Sequence, residues 1–104
     1  MKNRSLRSEL RDVLLGEIAS LRRAIEDGKE PLPYAESILH ILSDTEIDLT
    51  QDPHQTTRLR QHAYGIFRLV TDSSDLEQGS VGEDLIQFHT RLREFVRSVE
   101  GGGP

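Results

Sequence analysis

The chain has no cysteine among its 104 residues. That absence excludes disulfides, thiol nucleophiles and cysteine-ligated zinc, and it fits a reducing compartment. Aromatic residues are scarce, two tyrosines and three phenylalanines. Each one that is buried therefore carries a large share of the apolar surface. Long apolar runs are missing too. Val13-Leu14-Leu15 is the longest near the N-terminus, and Glu9, Asp12 and Glu17 surround it. Neither a secretory signal nor a membrane span can be read from such a run, and the expected setting is cytoplasmic. There is no glycine-rich phosphate loop and no internal repeat. No alternating apolar and polar run exceeds four residues, so no strand signal competes with helix.

What is present is charge, 30% of residues, against a lean 35% of hydrophobic ones. The net charge of −5 is unevenly spread. Residues 31 to 57 hold Glu36, Asp44, Glu46, Asp48 and Asp52 with no Lys or Arg, whereas residues 1 to 11 hold Lys2, Arg4, Arg7 and Arg11 against Glu9. An acidic total argues against a nucleic-acid footprint, which needs a basic patch on one folded face. Arg4, Arg7 and Arg11 share one side of a helix and form the candidate contact for an acidic partner. A chain of this length makes one domain and buries roughly 65% of its unfolded surface.

The strongest pattern lies near the C-terminal end. Val81, Leu85, Phe88, Leu92, Phe95 and Val99 step by four and three, which aligns six apolar side chains along one helix. This seam must bury against the core or against a partner. Ser80 and Glu83 match a capping box at its start, and Gly101 to Pro104 read as a flexible tail after a single helical domain over 1–100. The first helix is expected from Ser5 to Asp27, with Leu10, Leu14, Ile18, Leu21 and Ile25 as its stripe. Leu6 and Val13 widen that stripe, and Gly16 interrupts it at up to ~1 kcal/mol unless a neighbour packs closely. The second helix is expected to be short, from Pro33 to about Ser43, with an acidic loop from Asp44 to Gln51. Asp52-Pro53 then reads as a cap and first turn for a third helix ending near Thr71, with Leu59, Ala63, Ile66, Phe67 and Val70 inward. Residues 72 to 79 read as a polar loop.

The sum is an all-α fold, a compact and mostly antiparallel four-helix bundle of three long helices and one short second helix. The short helix cannot cover three long stripes, so a homodimer is expected.

Several chemistries can be weighed. His40, His54, His62 and His89 contain no pair at the three- or four-residue spacing of helical metal ligands; His54 and His62 lie eight apart, roughly 80° around a helix. Asp44, Glu46 and Asp48 alternate as calcium ligands do, but Leu49 and Gln55 stand where glycine and glutamate are required. Histidine-phosphotransfer bundles place an exposed histidine near a lysine with glycine one turn on. His62 is followed by Ala63, Tyr64 and Gly65 without lysine, and His89 by Thr90, Arg91 and Leu92 without glycine. Both histidines read as half-buried groups at the edge of a core. No catalytic residue, metal or cofactor emerges. The expectation is a non-enzymatic interaction or regulatory module that pairs with itself or takes another protein in a helical groove. The alternatives are a histidine-phosphotransfer-type bundle and a small nucleic-acid regulator using the basic N-terminal arm.

Overall fold

A computed structural model describes residues 6–28, 32–51 and 54–101. They form five helices: α1 (Leu6–Glu26), α2 (Ala35–Thr50), α3 (Thr56–Thr71), α4 (Ser74–Gln78) and α5 (Ser80–Glu100). No strand occurs among the described residues. None of their helices is long and apolar enough to cross a membrane. The four long helices pack in a ring. α1 lies against α2, α2 against α3, α3 against α5 and α5 against α1, while the backbones of the diagonal pairs stay apart. α1 and α5 run antiparallel: Arg7 reaches Ser98 whereas Glu17 meets Arg91.

The core is one cluster. Leu14, Ile18, Leu21 and Ile25 from α1 meet Ile38, Leu42 and Leu49 from α2, Leu59, Ala63, Ile66 and Val70 from α3, and the α5 seam. Leu85, Phe88, Leu92 and Phe95 are wholly buried within the protomer, Val96 joins them, and Val81 and Val99 pack at the rim. Val13, which the sequence places in the first stripe, is instead exposed.

The second helix departs most from expectation. It has 16 residues, as many as α3, and continues through the segment read as an acidic loop. The reason is Thr45, a polar residue in a core slot. Ile38, Leu42, Thr45 and Leu49 continue the helical step, all wholly buried. Thr45 satisfies its hydroxyl by donating to the Ile41 carbonyl at 2.7 Å. With α2 spanning about 24 Å, the ground for an uncovered bundle needing a second copy falls away.

The helix starts also differ. Pro33 lies outside α2, whose N-cap is Tyr34 in the left-handed region at φ 60°. The Asp52–Pro53 cap lies outside the described residues, and α3 begins later, at Thr56. Ser80 is not a cap: Gly79 holds that position on α5 without a side-chain hydrogen bond. The capping serine is Ser73, whose hydroxyl accepts from the Leu76 amide and starts the one-turn α4 inside the expected loop. α4 buries Leu76 and brings its carbonyl against α5, where a Cβ on Gly82 would stand 1.8 Å from the Leu76 oxygen. Only glycine permits that approach. Gly16 is the opposite case, since a Cβ there would meet nothing within 4 Å.

Candidate functional site

Two seams flank α3, and they are built differently. On the α2 side, Asp48 is 2% exposed. Its Oδ2 accepts from Arg58 Nε at 3.0 Å and lies 2.7 Å from His62 Nε2. Two neighbouring carboxylates of α2 are held too: Asp44 pairs with His40 at 3.4 Å and Glu46 with Arg22 at 3.1 Å. The alternating acids thus serve different partners: His40 within α2, Arg22 on α1, and Arg58 with His62 on α3. Among the described residues no group of three His, Asp or Glu side chains could hold a metal.

On the α5 side the seam opens outward. A groove of about 520 Å³ is lined by Arg60, Ala63, Tyr64 and Phe67 of α3 and by His89, Arg93, Val96, Arg97 and Glu100 of α5. The α3 positions step by three, one and three, so they share one helical face about 10 Å long, and the α5 positions extend about 16 Å. Tyr64 is 59% exposed and Phe67 40%. The sequence places Phe67 in the core, but Leu59, Ala63, Ile66 and Val70 complete that stripe without it. One residue beyond Ile66 turns 100° around the helix, and Phe67 falls outside.

The groove is ordered by contacts among its lining residues and with the neighbouring Arg68. His89 Nδ1 lies 2.8 Å from the Ala63 carbonyl and so donates to it, and the His89 ring tilts against Phe67 with centroids 5.0 Å apart. The Arg68 guanidinium sits 5.8 Å over the Tyr64 ring. Glu100 is bonded to Arg60. Arg93 and Arg97 have no carboxylate partner among the described residues, although they stand one turn apart on the groove wall. The exposed apolar surface is thereby bordered by uncompensated positive charge.

Of the residues singled out in the sequence, His89 and Phe67 line the groove, and the seam and the N-terminal arginines fall elsewhere. The α5 seam lies on the inward side of α5. Arg4 lies outside the described residues. Arg7 donates to the Ser98 carbonyl at 3.3 Å, and Arg11 pairs with Asp12, so neither shares the groove. His54 packs edge-on against Phe95 at 5.0 Å. A second depression on the α1–α5 side is lined by Val13, Gly16, Glu17, Ser20, Leu21, Ala24, Asp84 and Gln87. There burial raises the Glu17 carboxyl above the ordinary range, against the opposing pull of Arg91. The Tyr34 hydroxyl donates to Asp72 at 3.1 Å, and that hydrogen bond, then the aspartate charge, raises its pKa.

The sequence contains one usable signal for the groove. Tyr64 and Phe67 are large rings flanking a stripe already complete without them. Comparison with known protein families, curated proteins and solved structures yields no match.

Proposed function

We propose that this chain is a non-enzymatic, cytoplasmic protein-interaction module that takes a helical segment of another protein in the groove between α3 and α5. The observation that carries this reading is the exposure of Tyr64 and Phe67 side by side on that groove. Two of the five aromatic residues of the chain stand there partly open to water. Aromatic rings and arginines are the residue types that dominate binding energy at protein interfaces. A cleft between two packed helices admits a third helix along its length, which is the helix-in-groove mode of recognition. The cysteine-free composition supports the cytoplasmic setting.

The histidines support the non-enzymatic part. His62 spends Nε2 on Asp48 and His89 spends Nδ1 on a backbone carbonyl, and both bonds knit helices together. The test is a selection of helical peptides from a displayed random library against the full chain. Tyr64→Ser should leave the melting curve near wild type, Phe67→Ser should lower it modestly through the lost His89 contact, and both should abolish binding of the selected peptides. Selected peptides indifferent to both substitutions would refute the reading.

A further inference from the structure

The wall of the groove carries more information than its floor. Arg93 and Arg97 lie one helical turn apart, about 6 Å along α5, with no carboxylate partner among the described residues. Arg60 adds a third guanidinium, and the one acidic residue of the lining, Glu100, is committed to it. Around a strip of exposed rings the local charge is therefore positive, on a chain whose total is −5. We infer that the partner is an acidic amphipathic helix: an apolar stripe that packs on Tyr64 and Phe67, flanked by two carboxylates one turn apart that meet Arg93 and Arg97. This rests on the docking function proposed above and names the chemistry of its ligand.

Four physical points select this occupant. Carboxylates three or four residues apart on a helix have the same spacing as Arg93 and Arg97. Arginine forks bind carboxylates bidentately, which fixes orientation as well as strength. A second copy docked through the same face by a two-fold axis would bring two copies of this positively charged face together, and like charges in contact are repulsive. A nucleic acid would track a longer basic path than one pair of free arginines, and the acidic remainder of the chain would repel it.

The displayed-library selection tests this at about 0.15 M salt. Enriched sequences should combine apolar residues at helical spacing with Asp or Glu at i and i+3 or i+4. The double charge reversal Arg93→Glu with Arg97→Glu should weaken such peptides about tenfold. Peptides in which the flanking acids are replaced by lysine should regain affinity for that variant. Enriched peptides that need Phe67 but carry no acidic bias would overturn the inference while leaving the docking function intact. Peptides that ignore Tyr64 and Phe67 would overturn both. Tighter binding of a single-stranded oligothymidine than of any selected peptide, lost on charge reversal, would assign the groove to nucleic acid instead. A dimer in light scattering that dissociates in Phe67→Ser would assign it to a second copy.

Discussion

The two flanks of α3 solve one problem in opposite ways. Toward α2, the polar groups turn inward and satisfy one another, with Asp48 held by His62 and Arg58. Toward α5, His89 and the Arg60–Glu100 pair close part of the seam, while Arg93, Arg97, Tyr64 and Phe67 face solvent. A seam that consumes its own hydrogen-bonding and charge capacity contributes to stability and has nothing left to offer a ligand. A seam that leaves rings and guanidinium groups uncovered forgoes that stability and keeps the means of recognition. One helix divides the protein into a closed flank and an open flank, the second being the one we propose for binding.

Substitutions can break or sharpen that division. The largest effect is expected below both seams, in the core they close over. Phe88→Ala empties a wholly buried aromatic site and should cost about 3–5 kcal/mol, comparable to the entire stability of a small domain. Urea unfolding should find the variant largely unfolded at room temperature.

Asp48→Ala comes next and addresses the closed flank. It removes the acceptor of two charge-assisted hydrogen bonds, and with Arg58 half exposed the loss should be about 2–3 kcal/mol. At a temperature where the variant remains folded, binding in the groove should be unchanged. Tyr64→Ser should do the reverse, and coincident losses in both variants would dissolve the distinction between flanks.

Gly82→Ala should cost about 1–3 kcal/mol in the same unfolding assay, because its methyl group meets the backbone oxygen of Leu76. Gly16→Ala, in open space on α1, should instead gain about 0.5–1 kcal/mol.

The smallest effect concerns pH. Burial raises the Glu17 carboxyl above its ordinary value, and Arg91 only partly offsets this. As pH rises, the unfolded chain loses the Glu17 proton first and the folded chain later. Stability associated with this group is therefore full below the ordinary glutamate range and is lost as pH passes the raised folded value. Glu17→Gln should melt at a temperature that rises relative to wild type between about pH 4 and pH 7. A constant gap across that range would show that the carboxyl is not desolvated.

The fold class and three of the long helices were legible because their apolar steps are unbroken, as in Leu14, Ile18, Leu21 and Ile25. The length of α2 was not, since Thr45 puts a hydroxyl in a core slot and hides the continuation to Leu49. α4 escaped because one turn holds a single buried apolar residue, Leu76, too little for any period. The capping box at Ser80 misled because Gly82 lets α4 crowd the start of α5, and the capping serine is Ser73. The groove was the least legible part. Arg60 and Arg93 are far apart in the sequence, and only the pairing of α3 with α5 puts them on one cleft.

The ring of helices closes between its first member and its last. Glu17 and Arg91, which bridge α1 and α5, are separated by 74 residues, whereas α2 follows α1, and α3 follows α2, directly in the chain as well as in the packing. At a ribosomal pace of about 5–20 residues per second, α1 waits roughly 4–15 s for the partner that covers its second side. During that interval the α5-facing part of its apolar stripe is bare. Among the described helices, α1 is therefore the one whose packing depends on the contact furthest along the chain.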